Sequence, residues 1–174
     1  MMILGIDPGR TTAMVVRDGD RIVAAHTRTL DLDGHLERSI DETVLDATSL
    51  IDAHPIAGVA VEGAVAPTAW HAGKIKITDP APIIATAHLV GALVGCLAAT
   101  IVPPAGHGLK VPANTPAKIA RQILEDLYPP ELIGPRETTG RSKSDNQHRR
   151  AAWDIAGAYH PTNRTRTADR QANP

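Results

Sequence analysis

Met2-Ile3-Leu4-Gly5-Ile6-Asp7-Pro8-Gly9 is the stretch from which the rest of the chain is best read. A short apolar run ends in a carboxylate and then a Pro-Gly turn. This is the pattern of a buried strand that delivers an acid to the edge of a sheet. Thr12 to Val16 restarts an extended run, Asp18-Gly19 signals a hairpin, and Arg21 to Thr27 returns as a third strand. Three antiparallel strands therefore open the chain. Leu36 to Ala53 then repeats apolar residues at helical spacing through Leu36, Ile40, Val44, Leu45, Ala47 and Ile51. Ala57 to Val61 follows as a buried strand ending at Glu62. A helix between the first strand and this one predicts that the two pair in parallel. Asp7 and Glu62 would then face each other at the carboxyl edge of the sheet, where ligands of open α/β sheets gather. Two close carboxylates repel unless a proton or a cation lies between them. Oxygen-only donors favour Mg²⁺ or Mn²⁺. The plainer alternative is that each carboxylate caps a turn.

The remainder completes an α/β chain. Gly63 to Asp79 lacks clear periodicity. Pro82 to Ala99 reads as an Ala-rich helix and Thr100 to Val102 as a brief strand. Thr115-Pro116 starts an amphipathic helix with the stripe Ile119, Ile123, Leu124 and Leu127. Pro129 to Ser144 reads as a loop, Ser144 to Tyr159 as a last helix. The expected fold is a mixed five-stranded sheet, its first three strands antiparallel, flanked by helices. Residues 1–160 form the expected domain, and the polar stretch 161–174 is expected to be a disordered tail.

Composition narrows the classes. At 174 residues the chain is one ordinary domain, and 43% hydrophobic with 21% charged residues is normal for a folded soluble protein. Phe is absent and Trp and Tyr number two each, so the core must come from Ala, Val, Ile and Leu. A single cysteine, Cys96, excludes an internal disulfide framework and fits a reducing compartment. Its apolar helix makes it an inert packing residue by expectation. The net charge of −1 excludes a strongly basic arm-type binder while leaving room for a local basic patch. The apolar run Ile83–Val102 is broken by Thr86, His88, two glycines and Thr100, so no membrane span is expected.

With Gly5-Ile-Asp-Pro-Gly9, Val59-Ala-Val-Glu-Gly63 and an acidic cluster on the last helix in place, the chain resembles the RuvC-type Holliday-junction resolvases of the ribonuclease H-like superfamily over roughly residues 2–160. The resemblance implies two divalent ions, Mg²⁺ with Mn²⁺ as a substitute, held by a carboxylate on the first strand, one on the fourth, and two ligands on the last helix. It implies hydrolysis of phosphodiesters to 5′-phosphate and 3′-hydroxyl ends, a homodimer to cut two strands, and cytoplasmic location in a bacterium or phage-infected host. Asp7 and Glu62 match the first two positions. The last helix, Asp145-Asn-Gln-His148-Arg-Arg-Ala151-Ala-Trp-Asp154, departs from the pattern of two ligands three residues apart. Asp145 with His148 fits the spacing. His148 with Ala151 puts a side chain that cannot bind metal in the second place. Asp154 is the third option, an acid set among Ala151, Ala152, Ile155, Ala156 and Ala158, where it is costly unless paired or metal-bound. The reading adopted is Asp7, Glu62 and Asp154, with Asp145 or His148 as the fourth ligand; Asp145 also suits a helix N-cap.

DNA contacts are expected from Lys110 and Lys118, where the resemblance implies functional lysines. Arg141, Lys143, Arg149 and Arg150 form a basic cluster beside the last helix. Such resolvases often carry an aromatic residue shortly after the glutamate. Here the third residue on is Val65, and the first aromatic is Trp70, with Lys74 and Lys76 nearby. Ala85, Leu89, Ala92 and Cys96 on the Pro82–Ala99 helix are a candidate dimer stripe, which would equally serve to pack on the sheet. The expected function is resolution of four-way or other branched DNA junctions. The alternatives are a YqgF-like RNA-processing nuclease and a catalytically impaired junction-binding module.

Overall fold

A computed structural model describes residues 1–32, 34–64, 80–104, 107–108, 111, 114–134 and 145–159, with the side chain of Asp145 left aside. Trp70, Lys74, Lys76, Lys110, Arg141, Lys143 and the stretch 161–174 lie outside the described residues.

The described elements run β1 (Met2–Asp7), β2 (Thr11–Asp18), β3 (Arg21–Thr29), α1 (Leu36–Ala53), β4 (Ile56–Glu62), α2 (Ala81–Leu97), β5 (Thr100–Val102), α3 (Ala117–Leu127), a 3₁₀ turn (Pro130–Leu132) and α4 (Asp145–Gly157). The five strands form one mixed sheet in the order β3-β2-β1-β4-β5. β1–β2 and β2–β3 are antiparallel, while β1–β4 and β4–β5 are parallel. The expected parallel pairing of the two acid-bearing strands is therefore present. α3 begins one residue later than its Thr-Pro signal suggests, with Pro116 at the cap position and no side-chain cap bond.

Strand alternation sorts the two faces. Leu4 and Ile6 of β1, Met14 and Val16 of β2, and Val59 and Val61 of β4 share one apolar cluster with Ile40 and Ala47 of α1 and Leu89, Val90 and Leu93 of α2. Successive residues of a strand point to opposite faces, so Ile3, Gly5 and Asp7 lie on the other face, as do Ala60 and Glu62. That face is covered by α4 and α3: Ala13 and Val15 meet Leu124, Tyr128, Ala152 and Trp153, while Ile3 and Ala60 meet Ile155, Ala156 and Tyr159. The result is a sheet between two helical layers.

α4 seats on β1 unusually closely. A Cβ at Gly5 would lie 2.0 Å from the Ala152 carbonyl oxygen and 2.6 Å from the Ala156 nitrogen. Gly5 is thus a point where helix backbone touches strand backbone, and only hydrogen fits.

The α2 stripe resolves inward. Ala85 and Leu89 are buried in the sheet-side cluster, and Ala92 packs against it. Ala85, Leu89 and Ala92 therefore serve the core, the packing alternative for the stripe. Cys96 is exposed, so the expectation of a packed thiol is corrected. Among the described residues, no helix is long and apolar enough to cross a membrane.

Candidate active site

The site starts from register. Gly5 pairs with Ala60 and Ile6 with Val61. One further step brings Asp7 level with Glu62 at the carboxyl ends of two parallel strands, on the face covered by α4. The turn after Asp7 is locked from below: the Thr12 hydroxyl donates to the Gly9 carbonyl at 2.9 Å, and the Gly9 amide donates back to Thr12 Oγ1 at 3.3 Å. The Leu30 amide holds the Arg10 carbonyl at 2.7 Å. These bonds tie the turn after Asp7 to β2 and to the end of β3.

α4 contributes the third group. It runs antiparallel to β1, with Ala152 and Ala156 over Gly5, which brings its first turns to the Asp7 end. There His148 Nδ1 and Asp7 Oδ2 lie 2.8 Å apart. Both are largely enclosed, with 22% of the His148 side chain and 13% of Asp7 exposed. Burial pushes the Glu62 carboxyl above its ordinary range, the negative charge of Asp7 pushes it further, and His107 opposes both. A half-buried acid beside a second acid is an arrangement that a positive charge stabilises. His148 thus touches Asp7, and Asp7 acts on Glu62 through its charge, the three residues coming from elements distant in sequence. Asp145 stands at the start of α4, three residues before His148.

Asp154 does not join them. Its Oδ2 accepts the Tyr128 hydroxyl at 2.8 Å and the Gly108 amide at 2.9 Å. The acid in the alanine-rich stretch has the partners its burial demands, and they are a phenol and a backbone amide. Ala151 is buried beside Gly108. Arg150, expected at the DNA, is only 5% exposed; it donates to the Leu132 carbonyl at 2.9 Å and lies over the Tyr128 ring. Its guanidinium is engaged inside the fold, because Arg150 sits on the flank of α4 that meets Leu132. Arg149 is partly buried and donates to Thr27 Oγ1 at 3.0 Å, which leans α4 on β3 next to His148. Lys118 is exposed in the first turn of α3.

His107 was not among the expected residues. β5 ends at Val102, which pairs with Glu62, and His107 turns back to place its Nε2 3.3 Å from the Pro103 carbonyl oxygen. The signal available was its position just beyond the strand that neighbours β4.

Among the described residues, no three His, Cys, Asp or Glu side chains enclose a metal ion as they stand. The donor set still suits one in kind: two carboxylates, with Glu62 raised by burial and by Asp7, and one imidazole.

No family model matches the chain, and no curated protein sequence does. Solved structures do. A RuvC structure from Thermus thermophilus covers 97% of this chain and 97% of its own, with a TM-score of 0.52 and 13% identity. T. thermophilus RuvC in complex with a Holliday junction substrate covers 96% of each chain, with a TM-score of 0.52 and 14% identity. The likeness spans nearly the whole chain, and the chain has a RuvC-like fold.

Proposed function

We propose that the protein is a metal-dependent, structure-selective DNA endonuclease that cuts four-way junctions or other branched DNA. The observation that carries the reading is the contact of His148 with Asp7 at the sheet edge where β1 and β4 deliver Asp7 and Glu62. The likeness, over 96% of each chain, to a RuvC in complex with a Holliday junction substrate supports the choice of DNA.

In this reading Asp7 and Glu62 hold Mg²⁺ or Mn²⁺, with His148 beside them and Asp145 as the candidate for a further carboxylate, so that two ions are bound per site. Such ions supply charge stabilisation and an activated water for phosphodiester hydrolysis, leaving 5′-phosphate and 3′-hydroxyl ends. The chain's own part is positional. The locked Pro8-Gly9 turn fixes Asp7, β4 fixes Glu62, and α4 brings His148 against Asp7. Lys118 and Arg149, among the described residues, provide cations near the phosphate path. Lys110, Lys143, Arg141, Lys74, Lys76 and Trp70 complete the proposed DNA contacts. Symmetric cutting of two strands requires two such sites, hence a homodimer.

A second reading, a junction binder without cleavage, is favoured by one observation: Ala151, three residues after His148, is buried and offers no ligand. The test separates the two. A synthetic four-way junction, a linear duplex and a structured RNA are incubated with protein in Mg²⁺, Mn²⁺ or EDTA. The nuclease reading expects paired nicks in the junction alone, dependent on metal, and lost in Asp7→Asn and Glu62→Gln while junction binding persists. Full cleavage by either variant refutes the site. Tight junction binding without cleavage in any metal supports the binder, and cleavage of RNA alone refutes the choice of DNA.

A further inference from the structure

The bonds of Asp154 tie together three parts of the molecule. Tyr128 follows the last turn of α3, Gly108 follows β5, and Asp154 lies on α4; both donors converge on the same oxygen, Oδ2. Gly108 is shaped for this place. Its φ is +72°, and a Cβ there would lie 2.9 Å from the Gln147 carbonyl oxygen and 3.0 Å from Ala151 Cβ. The Gly108 backbone therefore lies directly on the turn of α4 that carries His148. Val111, a little further on, packs into the cluster of Leu124, Tyr128 and Ala152. One residue before Gly108 is His107, whose charge acts on the Glu62 carboxyl.

We propose that Asp154 is a positioning residue. Its carboxylate clamps the Gly108 amide and the Tyr128 hydroxyl, seats the Gly108 backbone on α4, and thereby braces the helical turn that carries His148. Asp154 acts through this clamp and does not itself touch metal or substrate. The inference rests on the nuclease reading for its effect on cleavage. The clamp itself stands on the two hydrogen bonds. A carboxylate that accepts two donors on one oxygen can be replaced by an amide, whose single carbonyl oxygen accepts both, whereas at a Mg²⁺ ligand the same change removes the negative charge that holds the ion.

The test uses Asp154→Asn, Asp154→Ala and Tyr128→Phe in the full chain, with two readouts. The first is single-turnover cleavage of a four-way junction at saturating Mg²⁺, together with junction affinity. Asp154→Asn is expected within about fivefold of wild type in rate. Asp154→Ala is expected at least about 30-fold slower with affinity within about threefold, and Tyr128→Phe in between. Tyr128→Phe added to Asp154→Ala should change little more, since the two act through one contact. The second readout is amide hydrogen exchange at Gly108, expected to quicken at least about tenfold in Asp154→Ala and to stay near wild type in Asp154→Asn. Asp154→Asn as inactive as Asp154→Ala overturns the proposal in favour of a ligand role. Unchanged exchange at Gly108 in Asp154→Ala overturns the clamp. If wild type cuts no branched DNA, the nuclease reading fails and exchange still decides the clamp. If Asp154→Ala does not fold, Tyr128→Phe decides alone, and its exchange at Gly108 must rise.

Discussion

Gly5→Ala adds one methyl group where α4 already stands. The new Cβ would lie 2.0 Å from the Ala152 carbonyl oxygen, 2.6 Å from the Ala156 nitrogen and 2.8 Å from Ala156 Cβ. Carbon contacts settle at roughly 3.5 Å, so α4 or β1 must give way by about 1.5 Å at the closest point. The two nearest atoms are backbone, and no rotamer change relieves them. Overpacking usually costs about 1–3 kcal/mol; with unyielding neighbours on both sides, about 3 kcal/mol is expected. For a chain of this size each kcal/mol moves the melting temperature by about 2–4 °C, which gives a drop of about 6–12 °C. Thermal unfolding followed by far-UV circular dichroism reads this directly. Gly91→Ala is the control, since nothing lies within 4 Å of a Cβ there. In the middle of α2 the same change should stabilise by about 0.5–1 kcal/mol. The displaced α4 in Gly5→Ala should also carry His148 away from Asp7 and lower cleavage beyond the loss of folded protein. A Gly5→Ala protein melting within about 2 °C of wild type would refute the close seating of α4 on β1.

Arg150→Gln should lower stability and leave the salt dependence of junction binding unchanged, because the guanidinium is buried on Leu132 and Tyr128; a slope smaller by about one unit would instead mean a phosphate contact. Asp46 provides a pH dependence. Burial alone raises its carboxyl, but the bonds and charges of Arg28 and His26 outweigh that and hold it below the ordinary range. A folded-state value below the unfolded one contributes stability that is present above the unfolded value, near pH 4, and is lost as pH falls through the folded value. Urea titrations between pH 6 and about pH 2.5 should therefore show a steeper acid loss for wild type than for Asp46→Asn, and parallel curves would contradict the network.

Much of the architecture was legible because local signals agreed with one another. Asp7-Pro8-Gly9 ends β1 where Pro and Gly forbid its continuation, and α1 spans Leu36–Ala53 as its apolar spacing predicts. The crossover through α1 made the parallel pairing of β1 and β4 the natural choice, and with it the approach of Asp7 to Glu62. What escaped was decided by contacts between distant residues. Asp154 needed a partner, and the sequence could not show that Tyr128 and Gly108 lie within reach of it. Arg150 reads as a surface cation in a basic run, and only the packing of Leu132 against α4 shows that it is buried. The inward turn of Ala85 and Leu89 was hidden because apolar residues surround nearly all of α2 outside Thr86 and His88, so periodicity had little to contrast. His107 was missed because a histidine in a Pro/Gly-rich stretch gains meaning only once β5 lies beside β4.

The hydrogen bond between Asp7 and His148 joins residues 141 positions apart, and it has a consequence for how the protein comes into being. β1 leaves the ribosome first among the described elements and α4 last, at rates of about 5–20 residues per second. For roughly 7–30 seconds the nascent chain holds its first carboxylate with no third group to meet it. Contacts of such sequence separation form late and slowly. An interrupted translation product, lacking α4, would carry half a site and leave the α4 face of the sheet bare. On the proposed reading of this site, competence and completed folding therefore arrive together.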